Sequence, residues 1–288
     1  MFLEGKVVKN IVSIVALMTV LLAGALVGCS QGGSAPPSQS SQTVASSAGD
    51  ATSPEVQGSP SASLKEKPVE EPTDTSAETT AVEPSIMYLG QASVRIVTPE
   101  GKVIYVDPYA GEDAWYGPSA DLVLVTHAHF DHNGLDRVGN RTAGCRVITQ
   151  AEAVADGEHP TFDLGYATVV PVQAGFNAYH DVSECVGYVV ELSDGTSVYL
   201  SGDTSTTDDM RDGTLAAMEI DYAFWCADGV YNMDAREAAE AARMVGAAHD
   251  IPYHNSTSNS GEMFDREAAV AFDAPNAMVL APGEAIGL

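Results

Sequence analysis

The chain has 288 residues, with 13 basic against 40 acidic side chains and a formal net charge of −27. From Ile86 onward about 9 basic residues face about 31 acidic ones, which argues against a nucleic-acid partner, since affinity for phosphate backbones rests on Lys and Arg displacing counterions. Only 4 Cys, with 26 Gly and 15 Pro, exclude a disulfide scaffold and a collagen-like chain, while 45% hydrophobic residues suffice for a core.

Lys6 and Lys9 precede an uncharged run from Ile11 to Val27. That is the positive start and apolar middle of an export signal. The run ends in Leu26-Val27-Gly28-Cys29, which resembles a bacterial lipobox. In such a signal the peptidase cuts before a cysteine that carries diacylglycerol. The resemblance implies lipidation of Cys29 and a bacterial lipoprotein held on the outer, extracytoplasmic side of the cell membrane. Residues 30–84 are rich in Ser, Pro, Thr, Ala and Glu, with almost no large apolar side chains. Such a segment cannot bury enough apolar surface to offset its ordering entropy, so a disordered acidic tether is expected.

A single folded domain is expected over residues 86–288. Short β-like runs come first, then strands alternating with helices. The strands read as Ile86–Leu89, Ser93–Thr98, Val103–Val106, Leu122–Thr126, Arg146–Thr149, Thr168–Val172, Gly187–Leu192, Ser197–Ser201, Tyr222–Cys226 and Ala277–Ala281. Pro99-Glu100-Gly101 and Ser193-Asp194-Gly195 read as hairpin turns. A helix is expected over Asp234–Val245, with Asp234 as N-cap, Glu237 completing a capping box and Gly246 as the stop. A second helix is expected from Asp265 to Phe272. Two sheets covered by helices on both outer faces account for this order.

The chemistry concentrates in His127-Ala128-His129-Phe130-Asp131-His132, directly after the apolar run Leu122-Val123-Leu124-Val125. Three imidazoles and a carboxylate at the end of a buried strand make a metal site. On an extended segment His127 and His129 point the same way. Asp131 and His132 lie past the bend and face a second ion. Asp203, in Ser201-Gly202-Asp203-Thr204 after another strand, is placed to bridge two cations with its two oxygens. Ile251-Pro252-Tyr253-His254 ends a strand-like run and supplies a late histidine. Asp228 and Tyr231 are expected in a loop opening near the metals, and His249 is read as structural. With Cys29 set aside, Cys145, Cys185 and Cys226 form an odd set; buried thiols are expected, with a Cys185–Cys226 pair as the alternative.

With these residues in hand, the chain resembles the metallo-β-lactamase fold superfamily of hydrolases. More narrowly it resembles a branch of metal-dependent hydrolases akin to ascorbate-6-phosphate lactonase. The likeness spans essentially all of residues 86–288. It includes Tyr88-Leu89-Gly90-Gln91-Ala92-Ser93, Asp107-Pro108-Tyr109, Val186-Gly187-Tyr188-Val189-Val190, Asn232-Met233-Asp234 and Pro282-Gly283-Glu284. It implies an α/β fold, a four-layer αββα sandwich with a binuclear centre of Zn²⁺ or Mn²⁺. In that centre His127 and His129 would hold the first ion. Asp131, His132 and His254 would hold the second, and Asp203 would bridge. Such proteins usually add one more histidine to the first ion. Here Asn177 stands near that position and His180 follows three residues later. His180 is the favoured ligand, with Asn177 as the alternative, an amide oxygen suiting harder ions such as Mn²⁺.

The expected activity is hydrolysis of a small ester, lactone or phosphodiester. Two cations would acidify a water and polarise the attacked oxygen, and Asp131 would orient the nucleophile or protonate the leaving group. Within residues 86–288 no GxSxG, HExxH, P-loop or GxGxxG is present. A non-catalytic, metal-stabilised solute-binding lipoprotein is the alternative of a different class.

Overall fold

A computed structural model describes residues 83–288, apart from 156 and 258–262. The export signal, Cys29 and nearly all of the expected tether lie outside the described residues. Among the described residues no helix is long and apolar enough to cross a membrane.

The described residues form twelve strands in two six-stranded sheets. The first sheet holds β1 (Ser85–Gly90), β2 (Ser93–Val97), β3 (Val103–Val106), β4 (Ala120–Val125), β5 (Arg141–Thr149) and β12 (Ala285–Gly287), in the order β12-β1-β2-β3-β4-β5. The second holds β6 (Phe162–Asp163), β7 (Ala167–Gln173), β8 (Val186–Leu192), β9 (Ser197–Leu200), β10 (Tyr222–Cys226) and β11 (His249–Tyr253), in the order β11-β10-β9-β8-β7-β6. The two hairpin turns read from Gly101 and Gly195 join β2 to β3 and β8 to β9, both antiparallel pairs.

Alternation along the strands divides the first sheet between two cores. Ile86, Tyr88, Val94, Ile96, Ile104, Val106, Leu122 and Leu124 face the large core shared with the second sheet. Met87, Leu89, Val103, Tyr105 and Val123 face outward and are covered with Tyr116 and Val138. Both faces of these strands are therefore buried, which is why they read as unbroken apolar runs. The outer cover here consists of short 3₁₀ turns at Asp113–Tyr116 and Leu135–Arg137.

The second sheet is covered by α1 (Ala235–Val245), whose Ala238, Ala239, Ala241, Ala242 and Val245 are buried. Asp234 caps it as expected, accepting from Glu237 N at 2.7 Å. Glu237 does not complete the box: its carboxylate accepts from Thr206 N and Oγ1, both at 3.0 Å, and ties the helix to the loop after β9. Gly246 ends the helix at φ 71°, a left-handed conformation glycine adopts without strain. The helix read from Asp265 is α2 (Arg266–Ala271), with Asp265 as its cap.

One expected strand is corrected. Ala277–Ala281 is not a strand and makes a single parallel bridge, Ala277 to Asp250. The chain has no room to continue there, because the Pro282-Gly283 turn carries it across to the first sheet, where Gly283 N donates to Tyr88 O at 2.8 Å. The pairing strand is β12, antiparallel to β1. The alternative cysteine pair is also absent: Cys145, Cys185 and Cys226 are all free. Burial pushes the Cys185 thiol up to about 12 and Cys226 higher still, so neither is a thiolate near neutral pH.

Candidate metal centre

β3 and β4 run parallel, as do β9, β10 and β11. β1 and β7, each two antiparallel steps away, end at the same edges. The carboxyl ends of strands from both sheets thus deliver Gln91, Asp107, His127 to His132, Asp203, Asp228 and His254 to one side of the sandwich, as open α/β sheets do with their ligands. His180 arrives on the loop between β7 and β8.

The seven residues read from the sequence as ligands come together. His127, His129 and His180 form one group of potential ligand atoms within 4.8 Å of one another; Asp131, His132 and His254 form another, and His127, His132 and Asp203 a third. Asp203 stands between the first two. Its Oδ2 lies 3.3 Å from His180 Nε2, and its Oδ1 lies 3.2 Å from His132 Nε2 and 3.4 Å from His254 Nε2. One carboxylate oxygen therefore faces each group.

The imidazoles are already oriented. His132 Nδ1 lies 2.8 Å from Asp107 Oδ2. A carboxylate only accepts, so Nδ1 carries a proton, and Nε2 is the nitrogen that can bind a cation once its own proton leaves. Thr126 Oγ1 donates to the same Asp107 oxygen at 2.7 Å and lies 3.1 Å from His127 Nδ1, which fixes that ring in the same sense. Asn177 Oδ1 accepts from the backbone N–H of Tyr179 and of His180 and lies 3.2 Å from His180 Nδ1. Asn177 is thus a support for His180, and its oxygen is occupied. His254 Nδ1 lies 3.4 Å from Asp228 Oδ2. In three rings an oxygen lies within hydrogen-bond distance of Nδ1, in His254 only the longer ion-pair contact with Asp228 does so, and Nε2 faces the centre. Nε2 of His127, Nε2 of His132 and Oδ1 of Asp203 are buried without a hydrogen bond. Buried polar atoms normally find partners. Lone pairs converging on a shared point without one fit a divalent cation, and the mixed imidazole and carboxylate set suits zinc or manganese.

Gln91 and Asp107 join the centre as well, without having been expected there. Gln91 Nε2 lies 3.0 Å from Asp131 Oδ2 and 3.0 Å from His254 Nε2. Asp107 is wholly buried, and its Oδ1 accepts from Thr126 N at 2.7 Å. Gln91, Asp107 and His254 all have positive φ, at 48°, 45° and 41°. Such conformations cost an L-residue free energy and gather where a site dictates the backbone. Asp228 is no solvated loop acid: besides His254 it accepts from Val230 N, Tyr231 N and Asn232 Nδ2. His249, read as structural, opens β11 and stacks on Tyr222 of β10 at 4.9 Å.

Electrostatics follow from this packing. Burial would lower His132, but Asp203 and Asp107 outweigh it and push it up to about 10. Burial likewise opposes His254, which Asp203, Asp131 and Asp228 hold well above 6.5. Burial would raise Asp203 and Asp131, but the adjacent imidazoles keep both well below the usual carboxylate range. Burial and the crowding of His132 drop His127 to about 2, so it is neutral. Without metal, His132 and His254 are thus imidazolium partners of buried carboxylates. A raised folded pKa contributes stability that is complete below about 6.5 and lost as pH climbs through about 10. The melting temperature of the chelated protein is expected to fall by at least about 5 °C between pH 6.5 and 10, measured by calorimetry in EDTA. Metal-loaded protein, whose ligands carry no proton to lose, should not show that fall. A flat profile in EDTA would contradict the ion pairing.

Above the centre lies a cavity of about 380 Å³ lined by Gln91, His129, Phe130, Asp131, Tyr179, His180, Asp203, Tyr231, His254, Ser256 and Thr257.

Residues 85–254 match a family model described as the beta-lactamase superfamily domain, a span that runs from β1 to His254 and encloses every residue of the centre. A metal-dependent hydrolase of Rubrobacter xylanophilus is 32% identical over 233 residues, covering 70% of this chain and 96% of its own length. Among solved structures, a metal-dependent hydrolase of Parabacteroides distasonis superposes with a TM-score of 0.53 at 25% identity, over 67% of this chain and 91% of its own. A metallo hydrolase of Ignicoccus hospitalis gives a TM-score of 0.55 at 20% identity, over 72% and 99%, and at that identity supports the fold alone.

Proposed function

The chain belongs to the beta-lactamase superfamily, and from that premise we propose a hydrolase that works with two divalent ions on a small ester, lactone or phosphodiester. The observation that carries it is Asp203, with one oxygen toward each imidazole group and Oδ1 buried without a hydrogen bond. His127, His129 and His180 would hold one ion, Asp131, His132 and His254 the other, and Asp203 both. Bound there, the ions supply an acidified water and a Lewis acid for the oxygen under attack.

The side chains do the rest. Asp107, Thr126, Asn177 and Asp228 hold the rings with Nε2 facing inward. Gln91 fixes the Asp131 carboxylate, which borders the cavity and can take a proton from the attacking water and return it to the leaving oxygen. Water thereby adds across the acyl C–O bond and yields an acid and an alcohol. Tyr179, Phe130 and Tyr231 line the mouth of the cavity.

Elemental analysis of the purified chain should give two Zn²⁺ or Mn²⁺ per molecule, EDTA should remove hydrolysis of an ester and lactone panel, and either ion should restore it. Zero or one ion with no turnover would favour the solute-binding alternative, and turnover indifferent to EDTA would overturn the metal-dependent reading. We further propose display outside the cell membrane through a lipid on Cys29, supported by the signal pattern of residues 1–29. Incorporation of a fatty-acid analogue that Cys29→Ala abolishes is the check.

A further inference from the structure

The cavity above the centre has a one-sided chemistry. None of its lining residues is Lys or Arg. The nine basic residues from Arg95 to Arg266 are each engaged elsewhere, at a carbonyl, a carboxylate or an aromatic ring. Arg137, which shares a neighbouring hollow with Phe130, donates to Gly111 O at 2.6 Å and lies 3.4 Å from Asp113. The rim, by contrast, is aromatic. Phe130, Tyr179 and Tyr231 line the cavity while 63%, 56% and 46% exposed, three of the seven large apolar side chains that the described residues expose. They are braced: Tyr179 meets Tyr231 edge-on at 5.2 Å, and Phe130 meets Tyr109 at 5.7 Å. Exposed aromatics held at the mouth of a site give up water favourably when an apolar group covers them.

We propose that this cavity takes an uncharged ester or lactone bearing an aryl or comparably apolar group, which packs between Phe130 on one side and Tyr179 and Tyr231 on the other. The inference rests on the hydrolase reading above and narrows it. It also separates this protein from phosphorylated lactones. A phosphate remote from the reacting carbonyl needs its own Arg, Lys or helix N-terminus, because the ions of the centre are committed to the reacting group. The described lining offers none of these, and its two carboxylates, Asp131 and Asp203, belong to the centre itself.

Full-length, Zn²⁺-loaded protein can be tested with three γ-lactones: unsubstituted, phenyl-substituted, and carrying a phosphomonoester. Calorimetric titration with the corresponding non-hydrolysable lactams gives binding apart from turnover. The phenyl compounds should exceed the unsubstituted ones by at least about tenfold in kcat/KM and in lactam affinity, and the phosphorylated ones should fall below them. Phe130→Ala and Tyr179→Ala should each cut the phenyl-to-unsubstituted ratio by at least about fivefold. Hydrolysis of all three lactones without preference, or preference for the phosphorylated one, overturns this inference and leaves the hydrolase reading standing. Selective binding of the phenyl lactam with no hydrolysis of any lactone supports the apolar site and overturns the hydrolase reading.

Discussion

Replacing Asp203 with Ala is expected to lower kcat/KM by at least about 10³ and to leave the purified chain with no more than one divalent ion. Three rings depend on this carboxylate: His132 and His254 at its Oδ1 and His180 at its Oδ2. The Ala variant removes the oxygen pair that faces both imidazole groups, so the effect should reach both proposed ions. Asp203→Asn keeps the shape and one acceptor but brings an amide N–H₂ against Nε2 atoms; it should retain the fold and still lose metal. The two variants also test the electrostatics. Asp203 is the leading favourable influence on both His132 and His254. In EDTA, therefore, the alkaline fall in melting temperature expected for the wild type should shrink in both variants. Metal content and melting curves are read on the same samples. Two ions retained in the Ala variant would remove Asp203 from the centre.

The sequence exposed this site unevenly, and the reasons are physical. His127, His129, Asp131 and His132 follow a strand whose every side chain is buried, so hydrophobicity marks the strand and the polar cluster marks its end. Asp203 and His254 stand in the same relation to β9 and β11. His180 is different: it sits in a loop, and only the structure shows Asn177 accepting from its backbone and ring. Asp107 had a usable signal. It directly follows the wholly buried Val103–Val106, so it emerges at the edge where β4 delivers its histidines. Gln91 had none. Its role depends on a left-handed backbone between Gly90 and Ala92 and on His254 N donating to its carbonyl at 2.8 Å across the sandwich.

The fold shows the same division. The central strands were legible because both faces are buried. The first half of β5 was not: Arg141 to Cys145 lie on an edge, largely exposed, with no alternation to read. β12 is three residues long and takes its place only because Pro282-Gly283 turns the chain toward β1. Edge strands are short, polar or irregular for good reason, since an apolar edge would recruit other chains. The property that makes them safe also makes them hard to find.

Asp107 gives the second large effect, and its two substitutions should part company. Asp107→Ala leaves three buried donors without an acceptor: Thr126 N, Thr126 Oγ1 and His132 Nδ1. Each stranded donor costs about 1–3 kcal/mol, so the metal-free protein should lose several kcal/mol, read by urea unfolding in EDTA. Asp107→Asn can keep an oxygen on Thr126 N, and the Thr126 hydroxyl can rotate to accept. Its cost in stability should stay within about 1–2 kcal/mol. The amide N–H₂ then faces His132 Nδ1, which must turn from donor to acceptor. The ring proton moves to Nε2 and covers the lone pair aimed at Asp203 and His254. The Asn variant should therefore bind Zn²⁺ about 10–100-fold more weakly while folding nearly as well as the wild type. Titration against a fluorescent zinc chelator, set beside the urea curve, separates the two effects. If Asp107→Asn held zinc as tightly as the wild type, the tautomer of His132 would not be what Asp107 controls, and the carboxylate would be only a brace between β3 and β4.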